Sequence, residues 1–360
     1  MFCGKSMRRR LPRRNLCVDS FCIDKLRRSL CRFLGPALLG LAAMLLSVVA
    51  AWAEPVTGSL PAHWNIGAKD CVASPQPPLE VRSYEAQTFI LRQSPCANPE
   101  ANFIYLLIGS EKALLIDTGA VADPKKMPLA RTVLSLLPVK DGRRLPLLIV
   151  HTHQHRDHYA GDVQFHSVPS VQIVSPDLTS VCCFFGFNHW PEGVAHLDLG
   201  GRVVDVIPTP GHQAAHVAFY DERTAILFSG DLLMPGRLTL EDIGADKRSA
   251  ARMIEFLTNR PLTHILGGHI ERDVNGRTYS EGSTYHPNER PLEFSREDLL
   301  KLPAALASFN GFYGSYENYS ITDPMHNLLA LLFGVVALLS LVIFGLYRLL
   351  LRRRRRRRVD

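Results

Sequence analysis

Short apolar runs separated by turn residues recur along the chain and predict a β-rich fold. Runs of roughly four to eight residues bounded by Gly, Pro, Asn, Asp or Ser are typical of strands. The strands predicted on this basis cover residues 88–92, 101–108, 112–117, 147–150, 171–174, 202–207, 215–220, 224–228 and 263–266. The second and third are separated by Gly109, Ser110 and Glu111, which favour a hairpin connection.

Apolar residues at helical spacing predict helices between and after these strands. The helices cover residues 126–137, which stops at Pro138, residues 246–259, which begins with an Asp cap, and residues 295–309. The last begins at Ser295 and has Asp298 three residues later, a capping pattern. This pattern is compatible with two sheets that have helices outside them. It does not specify the order of the strands in the sheets.

The segment 182–190, CCFFGFNHW, concentrates four aromatic side chains between predicted elements. Two interpretations are open. The segment packs against the core, which is the more common arrangement, or it forms a wall of an apolar substrate pocket.

The first 53 residues have the composition of an export signal. Ten Lys or Arg residues precede or flank an uncharged stretch at 33–53, which ends in Ala51, Trp52 and Ala53, an A-x-A cleavage pattern. Residues 1–53 are therefore predicted to be a cleaved signal peptide or an uncleaved signal anchor. The Pro-rich stretch 54–80 is predicted to be a linker.

A second uncharged stretch, residues 328–347, is long enough to span a bilayer. It follows a predicted linker at 311–327 and precedes a basic tail at 348–360, which contains arginine at every position from 352 to 358. Because positive flanks stay in the cytoplasm, the tail is predicted to be cytoplasmic and the preceding domain periplasmic or extracellular. The alternative is a C-terminal sorting signal that is later removed.

The charge of the chain resides at its two ends. The formal net charge is +7, but residues 54–327 contain 23 basic and 31 acidic residues, a net charge of −8. This balance and the predicted export count against a nucleic-acid partner. The sequence leaves the oligomeric state open.

Four cysteines lie in the segment predicted to be exported. Cys71 and Cys96 are a plausible disulfide in an oxidising compartment. Cys182 and Cys183 are adjacent and are predicted to be buried thiols.

The chemistry concentrates in residues 149–162, IVHTHQHRDHYAGD. The buried strand predicted at 147–150 delivers His153, His155, Asp157 and His158 to a loop at its end. Imidazole and carboxylate groups are ligands for divalent metals, and four of them in one loop are too many for a single strain-free tetrahedral ion. The loop therefore predicts more than one metal, and the alternative is a solvated His-rich tract.

Five motifs in order resemble the metallo-β-lactamase superfamily over residues 81–302. They are LLIDTG ending at 119, HTHQHRDH at 151–158, TPGH ending at His212, FSGD ending at Asp231 and LGGH ending at His269. The resemblance implies a four-layer αββα sandwich, here a catalytic domain at 81–310. It also implies two zinc ions, with iron or manganese as alternatives in one site. The implied ligands are His153, His155 and His212 for one ion, Asp157, His158 and His269 for the other, and Asp231 as a bridge. The resemblance also implies that Asp117 is not a metal ligand and that it braces the metal loop.

The resemblance implies a hydrolase that uses a hydroxide held between the two ions, with Asp157 as the catalytic residue that orients it. The substrate is a small molecule, and the bridging Asp231 favours an ester, thioester or lactone over a β-lactam. A periplasmic β-lactamase and a non-catalytic metal-binding or sensory protein are the alternatives. His151 and His216 are predicted to be hydrogen-bonding neighbours of the ligands. Gln213 departs from the family's usual Thr, and Tyr285 or His286 is a candidate donor to the substrate carbonyl.

Overall fold

The computed structural model describes residues 54–356. The predicted signal segment at 1–53 and the last four residues of the basic tail lie outside these described residues. The strands are β1 Leu79–Glu85, β2 Thr88–Gln93, β3 Phe103–Ile108, β4 Ala113–Ile116, β5 Val139–Lys140, β6 Arg143–Arg144, β7 Leu147–Val150, β8 Val171–Ile173, β9 Ala195–Asp198, β10 Val203–Pro208, β11 Val217–Asp221, β12 Ile226–Gly230, β13 Arg237–Thr239, β14 His264–Gly267, β15 Glu293–Phe294, β16 Tyr313–Ser315 and β17 Ser320–Thr322. The helices are α1 Leu129–Leu136, α2 Arg156–Tyr159, α3 Leu178–Phe185, α4 Ile243–Leu257, α5 Arg296–Ser308 and α6 Pro324–Arg356.

Two six-stranded sheets form the body of the domain. The first has the order β1-β2-β3-β4-β7-β8 and the second the order β15-β14-β12-β11-β10-β9. In the first sheet β4, β7 and β8 run parallel, and in the second β12 and β14 run parallel. The carboxyl ends of neighbouring parallel strands meet at one edge, where loops can bring side chains together.

The sheets pack face to face with helices outside them. Tyr105 of β3 and Phe228 of β12 meet between the sheets, with ring centroids 4.5 Å apart. On the outer face of the first sheet, apolar side chains of α1 such as Val133 complete a second cluster. On the outer face of the second sheet, α4 and α5 supply Met253 and Leu302. The layers are helix, sheet, sheet, helix, which confirms the predicted α/β sandwich.

The structure corrects both predicted linkers of the domain. Within 54–80, the Trp64 side chain is buried and packs edge-on against Phe103 with centroids 4.9 Å apart, and β1 already begins at Leu79. Within 311–327, β16 and β17 form a third sheet with β13. The predicted boundary at 310 is therefore wrong, and the domain continues to Thr322. The sequence did not predict these strands because three residues carry too little alternation of apolar and polar side chains to be recognised.

The aromatic segment begins inside α3, a helix that the sequence interpretation did not include. Phe185, Phe187 and Trp190 pack against the core between the sheets, which supports the packing interpretation. Within α3 the Val181 side chain is buried, Cys182 is partly buried and Cys183 is exposed. The prediction of two buried thiols is therefore wrong, because adjacent helical residues face different directions.

Cys71 and Cys96 form the predicted disulfide. It joins the segment before β1 to the loop between β2 and β3.

The predicted span at 328–347 lies within α6. Over Pro324–Leu351 this helix is long and apolar enough to cross a membrane, and none of its most apolar window is buried. Its first turn is fixed to the domain by Asn327 Nδ2, which donates to the backbone oxygen of Phe312 at 3.1 Å.

Candidate metal centre

Strand ends from both sheets deliver the candidate ligands. In the first sheet, β4 ends just before Asp117, and β7 ends just before the metal loop, residues 151–158. In the second sheet, His212, Asp231 and His269 follow β10, β12 and β14 within a few residues. The five motifs therefore converge at the rim where the two sheets meet.

His153, His155 and His212 form one cluster. The nitrogens His153 Nε2 and His155 Nδ1 are 3.0 Å apart, and His212 Nε2 is 3.2 Å and 2.9 Å from them. Ligand atoms about 2.0–2.1 Å from one tetrahedral zinc ion are roughly 3.3–3.4 Å apart. The cluster is thus slightly tighter than a zinc-bound triad and has the same arrangement of donors.

Asp157, His158 and His269 form the second cluster. Asp157 Oδ2 is 3.2 Å from His158 Nε2 and 3.3 Å from His269 Nε2, and the two imidazole nitrogens are 3.2 Å apart. These separations are also those of ligands around one ion.

Asp231 lies between the two clusters. Its Oδ2 atom is 3.9 Å from His153 Nε2 and 3.6 Å from His212 Nε2 on one side. On the other side it is 3.5 Å from His158 Nε2 and 3.7 Å from His269 Nε2. Its Oδ1 atom is buried and has no hydrogen-bond partner among the described residues. A buried carboxylate in this position suits a bridge between two cations.

The ring nitrogens that face away from the clusters are held by oxygen acceptors. Such contacts fix the tautomer and direct the other nitrogen's lone pair towards a metal. The pairs are His212 Nδ1 with the Thr239 backbone oxygen at 2.7 Å, His269 Nδ1 with the Glu100 backbone oxygen at 2.7 Å, and His158 Nδ1 with Asp117 Oδ2 at 2.9 Å.

Carboxylates set the charge of the centre. Burial lowers the pKa of His153 well below its usual value, and neighbouring histidines lower it further. Burial also opposes protonation of His269, but Asp231 and Asp157 outweigh it and raise the pKa of His269 to about 10. Burial opposes ionisation of Asp231, yet His269 and His158 hold its pKa well below the usual range. The second cluster therefore stabilises positive charge, whereas His153 in the first cluster favours the neutral imidazole, which is the form that binds a metal ion.

Glycines allow the second sheet's loops to approach the centre. A Cβ atom on Gly268 would lie 2.4 Å from Asp231 Oδ1 and 2.9 Å from His158 Cε1. Gly230 has a φ of +52°, and a Cβ there would lie 2.8 Å from His216 Nε2. Any larger residue at either position would displace a candidate ligand or its neighbour.

Of the two predicted hydrogen-bonding neighbours, His216 contacts a candidate ligand, whereas the hydrogen bonds of the His151 ring are to Asp162 and the Val174 backbone oxygen, which are not candidate ligands. His151 Nε2 is 2.9 Å from Asp162 Oδ1. His216 Nε2 accepts from the Asp231 backbone N–H at 3.2 Å, and its Nδ1 is 2.7 Å from Thr209 Oγ1.

The suggestion that His286 contacts a substrate is not supported. Its side chain is buried, with Nε2 3.0 Å from the Ser283 backbone oxygen and Nδ1 3.3 Å from Glu289 Oε1. Tyr285 instead lies under Lys69, whose Nζ is 5.7 Å from the ring centroid.

Sequence interpretation missed Asn102, which contacts two candidate ligands. Its Nδ2 atom lies 3.0 Å from Asp157 Oδ2 and 3.3 Å from His269 Nε2. A single asparagine at the start of a strand carries no motif, so its placement emerges only from the fold.

The family model described as "Metallo-beta-lactamase superfamily" matches residues 97–308. The hydroxyacylglutathione hydrolase of Methylobacillus flagellatus is 29% identical over 211 residues, which cover 57% of this chain and 75% of that protein. The human acyl-coenzyme A thioesterase MBLAC2 is 25% identical over 216 residues, covering 51% and 77% respectively. A solved metallo-beta-lactamase from Pontibacter korlensis is 18% identical with a TM-score of 0.45, covering 64% of this chain and all of that one.

The matched region contains both clusters, Asp231 between them and the strands that deliver them. The chain belongs to the metallo-beta-lactamase superfamily.

Proposed function

We propose that this protein is an exported, membrane-anchored hydrolase with two divalent metal ions, acting on thioester, ester or lactone bonds. The observation that carries the proposal is the position of Asp231 Oδ2, which lies within 4 Å of histidines from both clusters. One carboxylate between two complete ligand triads is suited to a binuclear centre rather than to two separate sites.

The ligand assignment follows the clusters. His153, His155 and His212 bind the first ion, Asp157, His158 and His269 bind the second, and Asp231 is shared. Imidazole-rich donor sets favour zinc, while the carboxylates of the second site also suit iron or manganese. Such a pair of ions lowers the pKa of bound water to about 7 and polarises a substrate carbonyl.

The chain's own residues define where water and substrate reach the centre. The side chains of His153 and His158 are fully buried, whereas those of His155 and Asp157 are 41% and 24% exposed. Substrate therefore approaches across His155 and Asp157. Asp157 is the catalytic residue of the proposal, because its carboxylate lies at this opening and can orient the attacking water as well as bind metal.

The substrate class rests on the bridge and on the relatives. A carboxylate between the ions adds negative charge, which suits leaving groups that need little stabilisation, such as thiolates and alkoxides. The hydroxyacylglutathione hydrolase and acyl-coenzyme A thioesterase in the comparison are named for thioester substrates. We therefore place thioesters first. The retention of seven converging ligand side chains argues against a non-catalytic binding protein.

Membrane anchoring is supported by α6, whose apolar window is exposed to solvent over its whole length. The disulfide between Cys71 and Cys96 is consistent with an oxidising compartment. The disulfide favours a catalytic domain outside the cytoplasm, and the positive charge of the Arg tail favours its location in the cytoplasm.

The proposal is tested with the full-length protein in detergent, loaded with zinc and assayed on a thioester, a lactone, a phosphodiester and a chromogenic cephalosporin. The thioester or the lactone should be hydrolysed fastest, and Asp157→Ala should lose activity on every substrate. Fastest turnover of the cephalosporin would instead identify a β-lactamase. Absence of bound metal after loading would overturn the binuclear centre.

A further inference from the structure

Asn102 lies at the point where the first sheet touches the second metal cluster. It immediately precedes β3, and its side chain is fully buried. Its backbone oxygen accepts from Gln93 N–H at 3.0 Å, and the next residue, Phe103, donates to the Gly268 backbone oxygen at 2.8 Å. Gly268 directly precedes His269, so the Phe103 hydrogen bond fixes the backbone after Asn102 relative to that histidine.

The amide group of Asn102 is directed at the second cluster. Nδ2 is 3.0 Å from Asp157 Oδ2 and 3.3 Å from His269 Nε2. The other end of the amide, Oδ1, is buried without a hydrogen-bond partner among the residues described. Burying an amide oxygen without a hydrogen-bond partner lowers the stability of the fold. A strong hydrogen bond from the amide nitrogen to a ligand atom would offset this loss.

Only one of these two contacts is compatible with bound metal. When His269 Nε2 coordinates an ion, its lone pair is engaged and it cannot accept an N–H. A carboxylate oxygen has lone pairs for both a cation and a hydrogen bond, so Asp157 Oδ2 remains an acceptor.

We infer that Asn102 is a positioning residue for the second ion. Its amide donates to Asp157 and holds that carboxylate in the orientation in which Asp157 and His269 bind the same ion. The inference rests on the ligand assignment proposed above. Asn102 does for Asp157 what Asp117 does for His158, but it does so with a neutral donor, so it adds no charge to the centre. Loss of such supporting contacts typically weakens metal binding by about 10- to 100-fold.

Direct coordination through Oδ1 is the competing arrangement. Turning the amide would place an oxygen about 3 Å from Asp157 Oδ2, where two oxygens repel without a shared proton. The second ion would already have Asp157, His158, His269 and the shared Asp231 as protein ligands, and a further ligand from Asn102 would compete with the water that the proposed reaction needs. Donation from Nδ2 is therefore the favoured arrangement.

The test compares Asn102→Ala with the wild type and with Gln93→Ala, all as full-length protein in detergent. Gln93 is a matched control because it is a fully buried amide on the neighbouring strand, and its Oε1 accepts from Ala120 N–H at 2.6 Å. Zinc dissociation constants are measured by chelator competition. Asn102→Ala should weaken the second ion by about 10- to 100-fold and leave the first within about twofold, whereas Gln93→Ala should leave both unchanged. Melting temperatures of the metal-free proteins measure loss of fold independently.

Cobalt(II) distinguishes positioning from coordination. At saturating cobalt the visible absorption of Asn102→Ala should match the wild type, because the ligand set is the same. A more intense band would show that a ligand was lost and would overturn the positioning role. If the wild type binds two ions and Asn102→Ala binds the second ion with unchanged affinity, the positioning role is also overturned. A wild type that binds no ions would instead refute the proposed binuclear centre.

Discussion

The Asp117 carboxylate holds Thr152 twice, accepting from its backbone N–H at 2.8 Å and from its hydroxyl at 2.9 Å. Asp117 itself has a φ of +65°, an uncommon conformation for a residue with a side chain. The strained turn after β4 thus fixes the direction in which the metal loop leaves β7.

Replacement of Asp117 should weaken metal binding although Asp117 is not a proposed ligand. Asp117→Ala removes both contacts to Thr152 and the acceptor for His158 Nδ1. We therefore expect zinc affinity to fall by about 10- to 100-fold, as is typical when a metal ligand loses its supporting carboxylate. Chelator competition measures it. Asp123→Ala, at an exposed turn, is the control, and equal affinity in the two variants would contradict the role of Asp117.

Removal of the shared carboxylate should affect both ions, whereas removal of one histidine should affect mainly one. Asp231→Ala should reduce bound zinc from about two equivalents to one or fewer, because the remaining triads lose their common ligand. His153→Ala should lower occupancy of the first site. Elemental analysis of the purified protein gives the stoichiometry. His196→Ala, whose side chain is 63% exposed and pairs with Asp205, should retain both ions.

Loss of the Cys71–Cys96 disulfide should destabilise the domain. The bridge spans 25 residues, and closing a loop of that size corresponds to about 3.5 kcal/mol. The double Ser variant should show that loss in denaturant unfolding under oxidising conditions. The Cys182→Ser, Cys183→Ser double variant, which removes thiols outside a disulfide, should unfold like the wild type.

Asp246 should make the domain less stable as the pH rises through the neutral range. Burial, and to a lesser degree Asp242, raise the pKa of Asp246 to about 7, and neither carboxyl oxygen has a hydrogen-bond partner in the described part of the chain. Because the folded state holds this proton more tightly than the unfolded state, stability falls between about pH 4 and pH 7 and is level above that range.

Asp246→Asn removes this dependence. The variant should gain of the order of 2–4 kcal/mol over the wild type at pH 8, since one pKa unit corresponds to about 1.4 kcal/mol, and the gain should shrink towards pH 4. Thermal unfolding at both pH values measures the difference. A gain independent of pH would show that folding does not shift the pKa of Asp246, and would contradict this prediction.

The proposed topology predicts opposite compartments for the two ends of α6. Reporter fusions after Asn310 and after Asp360 should report the exported and the cytoplasmic side respectively. A cytoplasmic reporter at Asn310 would contradict both the export signal and the oxidising environment proposed for the disulfide.

The sequence predicted the parts of the molecule in which chemistry and pattern coincide. β7 was predicted with its observed limits, because four buried apolar residues end directly before the histidines. The capping box at Ser295 was also correct. By contrast, α4 begins at Ile243 and has Asp242, not Asp246, as its cap, because only the first of these two nearby aspartates accepts from a helix N–H. The carboxylate of the second is buried.

Other features depend on contacts between distant segments and leave little trace in the sequence. α3 has an Asp177 cap and a left-handed Gly186, but its aromatic content obscured these helix signals. β13 and β17 are short and exist because they pair with each other across about eighty residues of chain. Asn102 acquires its role only when the two six-stranded sheets meet, and the backbone oxygen of Thr239 only when the third sheet packs against the loop after β10.

The pairing of β13 with β17 determines how closely the candidate metal centre is tied to α6. Thr239, whose carbonyl fixes His212, is directly opposite Thr322, and only Asp323 separates Thr322 from the first residue of α6. One residue spans at most about 3.6 Å, so the domain has no tether with slack. In an anchored protein the centre would stay at one height over the bilayer, at a fixed reach from the lipid surface.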